Sequence, residues 1–342
     1  MPLIIVIGSQ FGGEGKGLIC AAITNHLQAQ VVVKCGGPNS THSASYKGQV
    51  VRLRMFPAAS ICQNETIVFP AGSLINPELL FSEWQEIKYQ GRVVIDPHAG
   101  IIEQHHWSTQ QSDSFYRAHG STMTGTGAAS ADRARRRLRL AKDEPKLKSY
   151  LAVANEFIDA RIKSGQTVLV EGCQAFGLSN YHGEYPYVTS RCTTVGALLA
   201  QLGLGPKYVT KIVLVMKLFP TRNEGGKGKL PHELSADIIE QFKAQLLENG
   251  GGTYGQIGPP RRVALFNPEI VRKACLANTP DVLAVTGLDK LAALVGYEPF
   301  RSHYKSIDSF LFSMSKDLQL APAIQSWGPR IEDVRFVGFD KI

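Results

Sequence analysis

The feature that most constrains this chain is a glycine-rich loop, residues 8–17, which reads Gly-Ser-Gln-Phe-Gly-Gly-Glu-Gly-Lys-Gly. Five consecutive aliphatic residues, 3–7, precede the loop and are typical of a buried parallel strand. The Ala-, Leu- and Ile-rich stretch 18–27 predicts a helix after it. A loop between a strand and a helix N-terminus collects free backbone N–H groups and the positive end of the helix dipole. The sequence therefore predicts an anion site here.

The residue types in this loop favour phosphate as the anion. Glycines let the backbone approach a ligand closely, and Lys16 adds a point charge. The loop is not a Walker A sequence, because Gly8 lies two residues too early for G-x-x-x-x-G-K and Gly17 replaces the Ser or Thr that would bind Mg²⁺. A glycine-rich turn that binds nothing is the alternative that the loop alone leaves open.

Composition indicates a globular enzyme of 342 residues, of which 44% are hydrophobic and 19% are charged. The net charge of +8 favours anionic ligands without singling out nucleic acid. None of the six cysteines has C-x-x-C spacing, so neither a zinc site nor a disulfide framework is indicated. The N-terminal apolar run is too short for a signal peptide, and no window reaches the roughly 18 apolar residues of a membrane span. We expect a cytoplasmic protein that has no membrane partner.

Strands alternate with helices along the chain. The predicted strands are residues 3–7, 31–34, 66–69, 93–96, 167–170, 212–215 and 282–285, the predicted helices include 18–27 and 77–89, and a polar hairpin is predicted with its turn near Lys47-Gly48. This alternation predicts an α/β fold with a mostly parallel central sheet that helices cover on both faces. We expect one domain over residues 1–342, with mobile loops at 224–228 and 250–258.

Polar residues gather just after predicted strand ends, where ligands of open α/β sheets bind. Asn39 and His42 follow the second strand, although a lone loop histidine is more often a solvated side chain. Residues 120–127 offer hydroxyls and backbone N–H groups together, so they are a second anion cradle or merely a flexible loop. The basic run 132–139 lacks interleaved aromatics, which argues against nucleic acid and for a solvated helix face.

Five motifs in chain order resemble the adenylosuccinate synthetase family. The first loop resembles Gly-x-Gln-Trp-Gly-Asp-Glu-Gly-Lys-Gly, residues 36–42 resemble Gly-Gly-x-Asn-Ala-Gly-His, and residues 171–174 with 182–190 resemble Glu-Gly-x-Gln and Gly-Thr-Tyr-Pro-Tyr-Val-Thr-Ser. Residues 286–289 resemble Thr-Lys-Leu-Asp, and residues 326–329 resemble Ser-Thr-Gly-Pro. Five ordered matches are far more specific than any one of them. The resemblance implies the P-loop-NTPase-like adenylosuccinate synthetase fold.

The resemblance also implies a reaction in two steps. The γ-phosphate of a nucleoside triphosphate moves to the 6-oxygen of a purine monophosphate with Mg²⁺, and the amine of L-aspartate then displaces that phosphate. The implied catalytic residues are Lys16, His42 and Gln174. The implied triphosphate-binding residues are Gly12, Gly13, Glu14, Gly15, Lys16, Gly17, Thr41, Asp289, Ser326, Gly328 and Pro329, with the Thr41 backbone carbonyl on Mg²⁺. The implied residues for the purine monophosphate are Gly13, Asn39, Ser121, Thr122, Arg136, Gln174 and Thr189. Arg136 would reach a neighbouring site in a homodimer.

One departure from the family pattern bears on the purine. The ordinary synthetases have an aspartate where this chain has Gly13, and that carboxylate takes the N1 proton of IMP and binds Mg²⁺. Loss of a positioned base costs about 10²–10⁴ in rate, so the change indicates either a dead enzyme or another substrate. A small residue here is the pattern of the viral 2-aminoadenylosuccinate synthetases, which act on dGMP for 2-aminoadenine DNA. The longer loop 221–229 matches them as well.

A second departure concerns the co-substrates. The family's Thr-Gly-Arg-Arg-Arg-Arg loop, which binds aspartate, is Ile-Gly-Pro-Pro-Arg-Arg at residues 257–262, so Gly258, Arg261 and Arg262 are the remaining aspartate-binding residues. Gly287 in place of lysine weakens a preference for guanine, which leaves GTP or ATP as the donor. The leading hypothesis is a dGMP–aspartate ligase. The alternatives are an ordinary synthetase that acts on IMP and a catalytically dead nucleotide-binding protein.

Overall fold

The computed structural model describes residues 3–223, 227–248 and 261–339. Its strands are β1 (Leu3–Gly8), β2 (Val31–Lys34), β3 (His42–Tyr46), β4 (Gln49–Leu53), β5 (Thr66–Phe69), β6 (Leu74–Ile75), β7 (Val93–Ile95), β8 (Gly100–Ile101), β9 (Val168–Glu171), β10 (Val209–Lys217), β11 (Thr221–Asn223), β12 (Arg261–Val263), β13 (Val282–Thr286), β14 (Ile324–Ser326) and β15 (Val334–Phe336).

The α-helices are α1 (Lys16–Leu27), α2 (Pro77–Ile87), α3 (Gln104–Ser112), α4 (Ser114–Ala118), α5 (Thr126–Ala134), α6 (Ala154–Lys163), α7 (Val195–Leu202), α8 (Ala236–Gln241), α9 (Pro268–Asn278), α10 (Leu288–Leu294), α11 (Phe300–Tyr304) and α12 (Ile307–Leu318). Within the three described ranges, none of these helices has both the length and the apolar character that crossing a membrane requires.

Nine strands form the main sheet, in the order β15-β14-β13-β10-β1-β9-β2-β5-β7. Every neighbouring pair is parallel except β14 and β15, which are antiparallel. The exception has a local cause, because only residues 327–333 separate these two strands and a parallel crossover needs a dozen or more. The predicted mostly parallel α/β sheet is confirmed.

The central strand β1 is buried on both faces, as its aliphatic run predicts. Ile4 and Val6 belong to one apolar cluster, together with Ile19 and Ile23 of α1. The alternate residues of β1 belong to the cluster on the other face, which includes Leu198 of α7. Alternation along the strand therefore fixes which side chains meet the helices on each side.

Most predicted elements are confirmed, with small shifts at their ends. The first helix begins at Lys16 rather than at residue 18, and the second ends at Ile87 rather than at residue 89. The strand predicted at 93–96 ends at Ile95, and the hairpin of β3 and β4 turns at Lys47-Gly48, as predicted. The loop residues 224–226 and 250–258 lie outside the described residues. The assignment of one domain to residues 1–342 stays a prediction.

Candidate active site

The carboxyl ends of the parallel strands deliver the motif loops to one cavity of about 1140 Å³. This is the expected place, because loops that follow neighbouring parallel strands meet at one edge of the sheet. The predicted site residues that line the cavity are Gly12, Gly13, Glu14, Gly15, Lys16, Gly17, Asn39, Thr41, His42, Ser121, Thr122, Gln174, Thr189, Arg262, Asp289, Ser326, Gly328 and Pro329.

Three predicted residues are not among the cavity-lining residues. Arg136 follows α5, is exposed and does not line the cavity of its own chain. Gly258 lies outside the described residues, and so does the side chain of Arg261. The structure therefore brings the nucleotide motifs together and leaves most of the predicted aspartate loop undescribed.

The donors of the first loop bind a side chain of the same loop, the carboxylate of Glu14. The Glu14 carboxylate accepts hydrogen bonds from the backbone N–H groups of Gly12 at 2.8 Å and Gln10 at 3.2 Å. The Lys16 ammonium donates to the same carboxylate at 2.7 Å, and both side chains are buried. The loop thus has the donors for a phosphate oxygen, and Glu14 occupies them.

Gln10 anchors this loop to the neighbouring strand. Its side-chain amide donates to the Lys217 carbonyl at 3.0 Å and accepts from the Lys217 N–H at 2.9 Å. These two hydrogen bonds therefore connect the loop to the end of β10. Sequence analysis did not single out Gln10, because its partner is 207 residues away.

Several buried polar atoms around the cavity have no hydrogen-bond partner within the described part of the chain. They are Asn39 Oδ1, Ser40 Oγ, both amide atoms of Gln174 and Thr221 Oγ1. Gln174 also has a φ of 56°, in the left-handed region that costs a non-glycine residue conformational energy. Unpaired polar atoms and backbone strain are typical of sites in which a ligand completes the hydrogen bonding.

His42 is held from behind by two buried charges. Its Nδ1 contacts Glu171 Oε1, and the same oxygen accepts from the Lys34 ammonium at 2.5 Å. Burial, reinforced by Lys34, lowers the pKa of His42 to about 4. Burial alone would raise the pKa of Glu171, but Lys34 and His42 lower it to about 2. Nδ1 of His42 thus lies between a carboxylate oxygen of Glu171 and the Lys34 ammonium, whose Nζ is 3.0 Å from the same nitrogen.

The second anion cradle is formed by the segment before α5. Ser121, Thr122, Thr124 and Thr126 all line the cavity. The hydroxyls of the three threonines form a chain, with oxygen–oxygen distances of 3.3 Å and 2.9 Å. Gly125, with a φ of 78°, lets the chain turn directly into the helix. The structure thus places hydroxyls and a helix N-terminus together at the cavity wall.

Two arginines lie opposite each other on the antiparallel strands β11 and β12. Arg262 pairs with Glu233 at 2.5 Å and also donates to the Gly228 carbonyl at 2.7 Å. Arg222 lies over the Phe11 ring at 4.5 Å, and among the described residues its Nε and Nη2 have no hydrogen-bond partner. Sequence analysis missed Arg222, since nothing local in a loop-like stretch shows that its side chain is buried.

One cluster outside the cavity has the composition of a metal site, namely His105, His106 and Asp132. The backbone N–H of Glu103 donates to His106 Nδ1 at 2.8 Å, so the hydrogen of the neutral ring sits on Nε2. A nitrogen that carries a hydrogen cannot ligate a metal. His106 Nε2 lies 3.4 Å from Asp132 Oδ2 and has no hydrogen-bond partner among the described residues, so we assign no metal to this cluster.

Comparison with known proteins identifies relatives over nearly the whole chain. The family model described as adenylosuccinate synthetase matches residues 5–143 and 138–298. The adenylosuccinate synthetase of Archaeoglobus fulgidus is 34% identical over 337 residues, and that of Pyrococcus horikoshii is 35% identical over 341 residues, with 98% of each chain covered in both cases.

Solved structures resemble the fold at lower sequence identity. The fully ligated adenylosuccinate synthetase of Plasmodium falciparum superposes with a TM-score of 0.86 at 20% identity, covering 98% of this chain and 100% of that one. The succinoaminodeoxyadenylate synthetase of cyanophage S-2L, bound to dGMP and dATP, superposes with a TM-score of 0.80 at 22% identity, covering 98% of this chain and 95% of that one.

Proposed function

The chain belongs to the adenylosuccinate synthetase family, and we propose that within this family it is a ligase that joins L-aspartate to the 6-position of dGMP. The reaction consumes a nucleoside triphosphate and passes through a 6-phosphoryl intermediate. Its product is N6-succino-2-amino-2′-deoxyadenylate, a precursor for 2-aminoadenine DNA. A neighbour with the same fold, the cyanophage S-2L enzyme, is bound to dGMP in its solved structure.

The observation that carries this proposal is Gly13. This residue is exposed and lines the cavity, at the position where the ordinary synthetases have an aspartate. A guanine base differs from hypoxanthine by a 2-amino group beside N1. Glycine leaves room for that group, whereas an aspartate side chain takes up the same space. The absent carboxylate thus favours a 2-aminopurine over IMP.

Phosphoryl transfer needs neutralisation of the charge on the moving group. We assign this role to Lys16 and to the loop N–H groups of residues 12–17, with the triphosphate displacing Glu14 from them. The hard oxygen of the Thr41 backbone carbonyl, at the cavity wall, suits Mg²⁺, which in phosphate sites keeps few protein ligands. When bound, Mg²⁺ would supply further positive charge for the phosphates. Asp289, with Ser326, Gly328 and Pro329, would hold the base of the donor, GTP or ATP.

The purine monophosphate would form hydrogen bonds with the unpaired polar atoms of the cavity. Asn39 and Gln174 have amide atoms available for the purine, and His42 would act on its 6-oxygen. Ser121, Thr122 and Thr189 would bind the 5′-phosphate, since a helix N-terminus with hydroxyls is a favourable phosphate site. In a homodimer, Arg136 would complete this phosphate site in the neighbouring subunit.

The amino acid would bind near β11 and β12. Arg262 is the described arginine of the predicted aspartate loop, and Glu233 currently pairs with it. An incoming carboxylate would replace Glu233 with the same bidentate geometry. Arg261 and Gly258 belong to this proposed subsite as well.

An ordinary adenylosuccinate synthetase is the second candidate. The names of the archaeal relatives favour it, because relatives that are 34–35% identical over 98% of the chain are named adenylosuccinate synthetases. The Gly13 substitution argues against it. Substrate specificity is therefore the property to measure.

The decisive experiment supplies IMP, dIMP, GMP or dGMP with L-aspartate, Mg²⁺ and either GTP or ATP, and measures phosphate release and the succinylated product. We expect the highest kcat/KM with dGMP, and phosphate release only when both dGMP and aspartate are present. Preference for IMP would establish the ordinary activity. Nucleotide binding without turnover of any of the four would indicate a dead enzyme.

A further inference from the structure

Arg222 is a buried cation in the cavity wall that has no role in the proposed reaction so far. Its side chain is 5% exposed, and it lines the cavity from β11. Phe11 of the first loop packs against the guanidinium, whose Cζ lies 4.5 Å from the ring centroid. Gly228 leaves room for Nη1, because a side chain at that position would collide with this nitrogen. The neighbours of Arg222 therefore hold its guanidinium in one place.

The hydrogen bonds of Arg222 involve only one of its three nitrogens. Nη1 lies 3.5 Å from Glu184 Oε2, and the same oxygen accepts the backbone N–H of Lys229 at 2.6 Å. Nε and Nη2 are buried and have no partner among the residues that the structure describes. Burial lowers the pKa of Arg222, Glu184 raises it, and the nearby charge of Arg262 lowers it further. Glu184 thus compensates this buried charge only in part.

The two unpaired nitrogens form one edge of the guanidinium, and other arginines of the chain use this edge to bind carboxylates. Arg262 donates to Glu233 from Nε at 2.7 Å and from Nη2 at 2.5 Å. Arg272 donates to Asp317 from Nε at 3.0 Å and from Nη2 at 2.8 Å. The two N–H groups of this edge match the two oxygens of a carboxylate. The edge of Arg222 is therefore suited to an oxoanion with two acceptor oxygens.

Arg222 lies beside the subsite that we propose for the amino acid. It is the register partner of Arg262 on the antiparallel strands β11 and β12. Directly opposite residues of such a pair project their side chains from the same face, and both arginines line the cavity. A dicarboxylic amino acid carries two carboxylates, and Arg262 accounts for one. The phosphate groups, in contrast, have donors in the first loop and in the segment before α5. The amino acid is therefore the substrate that still needs a cation.

We propose that Arg222 binds one carboxylate of the amino acid through Nε and Nη2 while Arg262 binds the other, so that the two arginines select a dicarboxylic amino acid. The inference rests on the proposed function for the reaction, and it extends that function to the choice of the amine substrate. A carboxamide in place of the carboxylate would bring an NH₂ group against one of the two N–H groups. Neutral amides of aspartate are therefore poor substrates.

The main test measures the KM for L-aspartate in Arg222→Met. This variant removes a buried cation that is only partly compensated, so we expect it to fold. Its KM for aspartate should rise about 10–100-fold, the effect of losing a charge-assisted hydrogen bond, and its KM values for both nucleotides should change less than about 3-fold. Arg222→Lys keeps the charge without the paired N–H groups, so its KM for aspartate should lie between those of the wild type and Arg222→Met.

The matched control is Arg272→Met. It removes an arginine that uses the same edge but does not line the cavity, so the KM for aspartate should stay unchanged. A wild-type KM for aspartate in the folded Arg222→Met variant would overturn the inference. A rise confined to the KM of a nucleotide would overturn it as well, because it would assign the edge to a phosphate group.

Two amides of aspartate identify which carboxylate Arg222 binds. L-Asparagine lacks the β-carboxylate, and L-isoasparagine lacks the α-carboxylate. The wild type should discriminate against both amides. In Arg222→Met the preference for aspartate over one of them should largely disappear, because the group that recognises the missing charge has been removed. An unchanged preference over both amides would contradict a contact between Arg222 and the amino acid.

These kinetic measurements use whichever purine monophosphate turns over, so they do not depend on the assignment of dGMP. If no monophosphate turns over, the proposed function fails, and thermal unfolding tests Arg222 separately. Succinate, a dicarboxylate without the amine, should raise the Tm of the wild type and of Arg272→Met more than that of Arg222→Met, whereas inorganic phosphate should raise all three equally. An equal effect of succinate on the three proteins, or a response to phosphate that Arg222→Met alone lacks, would overturn the inference.

Discussion

The Lys16 ammonium lies 2.7 Å from the Glu14 carboxylate, inside the loop that both residues belong to. This carboxylate also accepts the N–H groups of residues 10 and 12. Under the proposed function, Glu14 occupies the donors that a phosphate oxygen would use. It follows that Glu14 cannot replace the aspartate missing at position 13 while it remains in this pair.

This relationship predicts that Glu14→Gln will make the free protein less stable and bind a triphosphate more strongly. Removing one partner of a buried ion pair typically costs about 3–5 kcal/mol. A bound phosphate would pair with Lys16 and offset that cost. Thermal unfolding with and without Mg-GTP or Mg-ATP should therefore show a larger increase in Tm in the variant than in the wild type. Glu78→Gln, at an exposed position of α2, is the control. An equal increase in Tm in all three proteins would contradict a competition between Glu14 and the phosphate for Lys16.

A second prediction concerns assembly through Arg136. Because Arg136 is exposed and does not line the cavity of its own chain, Arg136→Ala should inactivate the enzyme only through the neighbouring subunit. Mixing it with Lys16→Ala should restore some activity, since one site of each hybrid dimer regains both residues. Activity is measured after subunit exchange has been demonstrated with differently tagged chains. No recovery in proven hybrids would argue against the shared site.

A third prediction concerns pH and Glu65. Burial raises the pKa of Glu65 from its ordinary value of 4.5 to about 7, against two backbone hydrogen bonds that lower it. The folded protein thus holds a proton that the unfolded chain releases above about pH 4.5, so this group's stabilising contribution is lost as pH rises through about 7. The full increase in the pKa of Glu65 corresponds to about 3 kcal/mol in the free energy of unfolding.

Glu65→Gln cannot ionise, so it should gain stability relative to the wild type as pH increases. Urea unfolding gives the free energy of unfolding of Glu65→Gln and of the wild type at pH 5 and at pH 8. The value for the variant minus that for the wild type should be larger at pH 8 than at pH 5, by most of the ~3 kcal/mol. Glu86→Gln, on the exposed side of α2, is the control. A difference that does not vary with pH would show that Glu65 is ionised in the folded protein throughout this range.

The parts of the site that sequence analysis could predict are those encoded by adjacent residues. An aliphatic run, glycines and a lysine define the first loop, and Asn39 and His42 follow a strand end. Lys34 and Glu171 could not be predicted as a pair, because they are 137 residues apart and meet only through the register of β2 and β9. Arg222 was missed for a similar reason, since its burial depends on Phe11 in a distant loop.

The last prediction concerns Gly13, which we regard as the residue that selects the purine. Gly13 has a φ of 69°, so Gly13→Asp places a side chain on a left-handed backbone, at a cost of about 1–2 kcal/mol. Aspartate tolerates this conformation better than most residues. The strain is common to complexes with either nucleotide. It therefore cancels when two substrates are compared in the same variant, and the ratio of their kcat/KM values reports only on contacts with the base.

For dGMP, the new carboxylate occupies space beside the 2-amino group, and overpacking typically costs about 1–3 kcal/mol. A hydrogen bond from the amino group to the carboxylate opposes this cost by about 1.5–3 kcal/mol where the geometry allows it. For IMP there is no 2-amino group to crowd, and the carboxylate supplies a base near N1, worth about 10²–10⁴ in rate. The kcat/KM ratio of IMP over dGMP should therefore rise in Gly13→Asp, even if crowding and hydrogen bonding cancel for dGMP.

Steady-state kinetics at saturating aspartate and donor measure this ratio in the wild type, in Gly13→Asp and in two matched variants. Gly13→Ala introduces the backbone strain without a polar group, and Gly13→Asn adds the shape of aspartate without its charge. If the carboxylate acts as a base, only Gly13→Asp should raise turnover of IMP. If shape alone excludes the 2-amino group, Gly13→Asn should depress dGMP turnover equally. A ratio that stays constant in all three variants would mean that Gly13 does not select the purine, and the assignment of dGMP would lose its main support.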